Sequence, residues 1–191
     1  MRYPALDNNF FIRNRQKLAK QLSPGSIALV FANYQMPRTG DQYYSYRQHS
    51  DFFYFTGIEQ EKSILLLAPD AKTRELQEVL FVLRSNKTLE IWEGHKLTFD
   101  EASNISGIKT IRLIDDFEES LHLLMPESKN LYFNVPELPK FNPEIKSRDE
   151  VYLDRIKSKY PLHNYERLAP VIEKIRLIKS PVEIELIKKA S

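Results

Sequence analysis

Apolar positions along the chain switch between a helical and a strand period, and that alternation predicts an α/β layering. Residues 8–22 place Phe11, Leu18, Ala19 and Leu22 on one helical face, and Ser23-Pro24-Gly25 ends the run. A continuous apolar strand follows at 27–32. After a polar, aromatic loop over 33–51, the runs at 52–55 and 63–68 read as strands covered on both faces. Thr56-Gly57 closes the first of these two, with Gly57 expected at a positive φ. Residues 78–83 form a further strand. The polar turn 69–75 makes 64–83 a hairpin.

Weaker strands are predicted at 109–113 and 130–134. Residues 98–102 and 115–124 read as short helices, each opened by a side chain that can cap free N–H groups. Pro136, Pro139 and Pro143 force an extended loop before a helix over about 147–159. Ser180-Pro181 starts a last helix, whose Val182, Leu186 and Ala190 repeat at i, i+4 and i+8. That helix meets no stop signal before Ser191 and needs a surface to pack on. The expected organisation is one domain over 1–174, with 175–191 a junction and first helix leading into a further domain.

Composition narrows the function classes. With 42% hydrophobic and 28% charged residues, the 191-residue chain can bury a real core. Its 28 basic and 26 acidic residues are mixed along the sequence and leave a net charge of only +2, so neither nucleic acid nor an anionic membrane is an expected partner. The apolar runs are strand-sized, far below the ~20 residues that span a bilayer. The first nine residues lack a secretory signal pattern and the chain has no cysteine, which together point to a reducing cytoplasm.

A self-contained catalytic site is not visible. His49, His95, His122 and His163 form no His-x-x-x-His pair and read as surface or loop histidines. The pairs Asp115-Asp116, Glu118-Glu119 and Asp149-Glu150 fall at helix starts, where negative charge complements the macrodipole. There is no Gly-x-Ser-x-Gly turn, and the five glycines are too scattered to cradle a phosphate.

Two segments stand out. From Arg38 to Gly57 the chain concentrates tyrosine, arginine and hydrogen-bonding side chains, the composition of a recognition surface. The alternative is structural: Arg38, Asp41, Arg47 and Asp51 pairing among themselves to pin a long loop. The second segment, Glu90-Ile91-Trp92-Glu93-Gly94, carries the only tryptophan. It either plugs the core or projects as an anchor, and its polar neighbours favour a projecting loop.

The residues Arg38, Asp41, Tyr44, Tyr46-Arg47-Gln48, Ser50-Asp51-Phe52 and Tyr54-Phe55-Thr56-Gly57 resemble the N-terminal signature of aminopeptidase P. Ile91-Trp92-Glu93-Gly94 is similar to that family's tryptophan loop, and Ile175 through Ile184 to its junction with the catalytic domain. The resemblance covers nearly the whole chain. It departs after the loop glycine, where family members often have basic residues and this chain reads Gly94-His95-Lys96.

The resemblance implies a creatinase-like N-terminal fold: a mixed sheet flanked by helices on both faces, containing a ribonuclease H-like motif and followed by a linker helix. It also implies a parent enzyme that removes an N-terminal residue preceding proline. The family's two manganese ions are held by two aspartates, a histidine and two glutamates beyond the junction, so this chain itself would carry no catalytic residue, metal ligand or cofactor. Its partners would be its own catalytic domain, further copies in a dimer or tetramer and, for the parent, short peptides with proline second. Arg38, Asp41, Tyr44, Tyr46, Arg47, Asp51, Tyr54 and Gly57 would be structural or interface residues. Trp92 would face a neighbouring subunit's substrate pocket. The alternative is a peptide- or protein-binding module of the same fold without chemistry.

Overall fold

The computed structural model describes residues 6–85, 88, 90–137 and 144–190, with the side chains of Trp92 and Glu93 outside that description. In chain order, α1 (Asn8–Ala19) leads into β1 (Ser26–Phe31), a small hairpin of β2 (Pro37–Thr39) and β3 (Gln42–Tyr43), and α2 (Ser50–Thr56). The strands β4 (Ile64–Leu67) and β5 (Glu78–Val82) follow, then the single turn α3 (Glu90–Glu93) and α4 (Phe99–Ser106). Next come β6 (Thr110–Leu113), α5 (Phe117–Leu124), β7 (Asn130–Phe133), α6 (Arg148–Lys159) and β8 (Asn164–Arg167). Two helices, α7 (Ala169–Leu177) and α8 (Pro181–Ala190), close the described chain.

Six strands form one mixed sheet in the order β6-β5-β4-β1-β7-β8, in which β4 runs antiparallel to all the others. The expected hairpin is the β4–β5 pair, in register Ile64 opposite Phe81 and Leu67 opposite Glu78. Every residue of β1 and β4 is buried, because helices cover both faces. The two-residue period of β1 divides it between two cores. Ala28 and Val30 pack with Phe10 and Leu18 of α1, Phe52 of α2, Ala102 of α4 and Ile172 of α7. Ile27, Leu29 and Phe31 pack with Phe117 and Leu121 of α5 and Ile156 of α6. Each of the larger side chains among these, Val, Leu, Ile or Phe, contributes about 1.5–3 kcal/mol of burial.

Several helix starts follow their cap chemistry, although Asp116 makes none of the expected side-chain cap bonds to α5. Thr98 and Ser147 open α4 and α6 with reciprocal capping boxes to Glu101 and Glu150. The expected strand at 52–55 is instead the centre of α2. A short aromatic run does not distinguish strand from helix by itself, and here tertiary contacts decide: Phe52, Phe55 and Thr56, spaced i, i+3 and i+4, are the fully buried positions. The carbonyls of Tyr54 and Phe55, near the end of α2, are met by Asn14 Nδ2 at 3.0 Å and Arg15 Nη1 at 2.7 Å from α1. Gly57 has the expected positive φ, +69°, but as the C-terminal cap of that helix, donating to the Phe53 carbonyl at 2.8 Å.

Candidate functional site

The segment from Arg38 to Gly57 divides in two. Its first part is the exposed β2–β3 hairpin, closed by Tyr44 N–H donating to the Met36 carbonyl at 3.0 Å, with Arg38 lying over the Tyr44 ring at 5.9 Å. Arg38, Asp41 and Tyr44 all sit there in solvent. The second part is anchored by Gln48, whose amide is fully used: Oε1 accepts from the Asn33 and His49 backbone, while Nε2 donates to the Ile58 and Gln60 carbonyls at 3.0 and 3.1 Å.

Mutual pairing of Arg38, Asp41, Arg47 and Asp51 does not occur among the described residues. Asp51 instead forms a charge-assisted bond to Arg176 of α7 and accepts from Asn134 Nδ2 at 2.8 Å, so the signature is fastened to the junction helix and to the end of β7. The same guanidinium lies 5.1 Å from the Tyr54 ring. Arg176 follows Asp51 by 125 residues, beyond the reach of local spacing.

Between this anchored segment and α8 opens a groove of about 900 Å³, walled by Phe10, Tyr46, Arg47, Tyr54, Arg176 and Leu186 among others. The hydroxyl of Tyr54 is buried without a hydrogen-bond partner, while that of Tyr46 is buried beside the Asn33 backbone. Burial, together with Glu183, pushes the Tyr54 hydroxyl up to about 12. Burial also raises that of Tyr46, with Glu61 acting in the same sense. Such a wall offers mainly apolar contact to an occupant.

Beyond the groove, the carboxyl ends of β1 and β7 hold a buried polar cluster. Burial lowers His49, although Asp51 opposes this, and the half-buried residue lies in the loop that leads into α2, as a loop histidine. Asp149 is only 4% exposed, and burial drives its carboxyl up to about 8 despite the Asn134 N–H and Arg148. Asp149 does lie in the first turn of α6, but Glu150 makes the cap, and burial favours the uncharged form of the Asp149 carboxyl.

Between its unfolded value of 3.8 and its folded value of about 8, Asp149 holds in the fold a proton that the unfolded chain has lost. Its contribution is complete below the first value and declines as pH rises towards the second. Asp149→Asn is expected to flatten that decline and so to gain stability relative to the unsubstituted protein as pH rises towards 8. Urea midpoints for both proteins across pH check it, and parallel pH profiles would show an ionised Asp149.

Trp92 lies on α3, while the direction of its side chain falls outside the described residues. No three His, Asp or Glu side chains among the described residues converge as metal ligands do. No helix among them is long and apolar enough to cross a membrane.

Comparison with known proteins gives this geometry its lineage. The Xaa-Pro aminopeptidase of Escherichia coli (strain K12) is 32% identical over 186 residues, covering 94% of this chain and 41% of that protein. Two solved structures share the fold. Aminopeptidase P from E. coli with the inhibitor Pro-Leu matches at a TM-score of 0.78 and 30% identity over 98% of this chain and 42% of that one. A Bacillus anthracis protein assigned to aminopeptidase P matches at 0.86 and 28% over 96% of this chain and 43% of that one. The chain thus spans about two fifths of the length of these relatives. Because the sequence pattern described as "Aminopeptidase P, N-terminal domain" also matches residues 11–132, well over half of the chain, this protein belongs to that N-terminal domain family.

Proposed function

We propose that the chain is the non-catalytic N-terminal domain of a cytoplasmic, manganese-dependent Xaa-Pro aminopeptidase. In this reading it docks its own catalytic domain, contributes to a dimer or tetramer and walls the entrance through which short peptides with proline second reach the active site. The observation that carries the reading is the groove between the signature segment and α8. Its Tyr54 hydroxyl lacks a partner, Ile187 in its wall is 53% exposed, and beside it Leu177, Ile178 and Ile184 are 74%, 79% and 44% exposed. Apolar surface concentrated at one junction suits a second folded body. The described residues offer no ligand set that fits two manganese ions, so no step of metal chemistry is assigned to them.

The test compares the 191-residue protein with a longer form carrying the catalytic region, each given Mn²⁺ and an Xaa-Pro peptide. Only the longer protein is expected to release the first residue. Turnover by the short form that survives repurification and scales with protein would overturn the reading. So would an inert longer form, which would instead mark a binding module.

A further inference from the structure

The one-turn helix α3 that carries Trp92 is tied down by an unusual contact. His95 Nδ1 lies 2.5 Å from Glu90 Oε1 on α3, and His95 Nε2 lies 3.1 and 3.0 Å from the two carboxylate oxygens of Glu101 on α4. An ionised carboxylate only accepts hydrogen bonds, and a neutral imidazole has a single N–H. Both contacts are therefore satisfied together only by the imidazolium. A neutral ring must leave one nitrogen lone pair facing a carboxylate.

The two glutamates are not equally free to move. Glu101 is also the reciprocal partner in the α4 cap, accepting from the Thr98 N–H at 2.8 Å and the Thr98 hydroxyl at 3.0 Å. The residues after His95 are anchored as well: Lys96 Nζ sits 2.6 Å from Glu61, and Leu97 N–H donates to Gln60 Oε1 at 2.7 Å. Glu90 belongs to a four-residue helix, and Ile91 beside it is 83% exposed. A helix that short has no stability of its own. Loss of the ring proton therefore frees the α3 side and leaves the α4 side in place.

We propose that His95 is a positioning residue for Trp92: its imidazolium clasps α3 to the start of α4, and deprotonation of the ring releases the turn that carries the tryptophan. The charged groups acting on the ring are Glu90 from α3 and Glu101 from α4, while the adjacent Lys96 is engaged with Glu61. Hydrogen bonds to Glu90 and then Glu101 raise His95 above the ordinary 6.5, and Thr98 with His95 holds Glu101 below the ordinary 4.5. A raised histidine contributes fully below its unfolded value and loses that contribution as pH climbs through the folded one. A depressed glutamate does so above its unfolded value and loses it as pH falls. The clasp is thus complete between 4.5 and 6.5 and opens on the alkaline side.

Trp92, the only tryptophan of the chain, reports on this directly. In the 191-residue protein, its emission and acrylamide quenching are expected to follow a one-proton curve centred above 6.5 while far-UV circular dichroism stays constant. His95→Gln should hold the alkaline signal at every pH. His95→Arg should hold the acid signal, because a guanidinium donates throughout the range. A flat wild-type titration, an unchanged curve in H95Q, or the same signal from H95Q and H95R would overturn the clasp.

Any effect on peptide turnover rests on the proposed placement of Trp92 at a substrate pocket. KM for an Xaa-Pro peptide in the longer protein tests that placement separately and is expected to follow the fluorescence midpoint. A fluorescence titration without a matching change in KM would uphold the clasp and overturn the placement.

Discussion

Replacing Gly57 by valine is expected to destabilise the fold by roughly 2–5 kcal/mol, towards the upper end of the range. Two independent costs add. A φ of +69° places any side chain in the left-handed region, at about 1–2 kcal/mol, and branching at Cβ makes it worse. In addition, a Cβ at this position would stand 2.5 Å from both Cε2 and Cζ of Phe11, far inside contact distance. Phe11 cannot retreat. It is 2% exposed, and its ring is held edge-on by Phe10 at 5.3 Å and Phe53 at 6.0 Å. Forcing atoms into such packing costs typically 1–3 kcal/mol. Gly40, also at positive φ but with nothing within 4 Å of its would-be Cβ, is the internal control: valine there should show the backbone strain alone. Denaturant midpoints at constant m-value read both effects. Equal losses at Gly57 and Gly40 would mean that the Phe11 contact carries no cost.

The same position shows how far sequence patterns reach into this fold. The strands buried on both faces, β1, β4 and β5, are legible because a run such as Ile27-Ala28-Leu29-Val30-Phe31 can serve two cores only if both faces are covered. Phe52-Phe53-Tyr54-Phe55 is an equally unbroken run, aromatic where the first is mainly aliphatic, and is helical, with α1 supplying the partners for its terminal carbonyls. The strand β8 and the helix α7 carry no strong local signal. Three of the four residues of β8 are exposed, and its pairing is fixed by β7, with Asn130 opposite Asn164 and Phe133 opposite Arg167.

The candidate site divides along similar lines. The cluster of Tyr46, Arg47, Asp51 and Tyr54 is visible as composition, whereas its ties to Asn134 and Arg176 are products of the topology. Burial was equally invisible for Asp149. At a helix start its carboxylate reads as a favourable charge, and only the folded chain shows that α6 brings it inward beside Asn134.

Arg148, its neighbour, is where the second large effect is expected: Arg148→Met should cost roughly 3–5 kcal/mol. The side chain is 5% exposed, at the first position of α6. Its Nη1 donates to the carbonyls of Ala32 at 3.1 Å and Ser63 at 2.8 Å, and its Nη2 donates to that of Lys62, so one guanidinium serves the end of β1 and the approach to β4 together. Its plane lies among Phe31, Tyr34 and Tyr152, 5.3 to 5.6 Å from their ring centres. Methionine keeps the apolar stem but removes every donor, and each buried acceptor left short of a partner costs about 1–3 kcal/mol. The Ser63 carbonyl keeps a second donor, the Ala32 N–H at 3.0 Å, which holds the total below three full penalties. Arg148→Lys separates charge from geometry. An ammonium supplies the charge but not the planar fork that spans several carbonyls or the face that stacks on aromatic rings. Lysine is therefore expected to recover only part of the loss. Urea unfolding of the three proteins ranks them. A lysine variant as stable as wild type would mean that charge alone holds α6 to the sheet, and a methionine variant as stable as wild type would mean that water already satisfies these carbonyls.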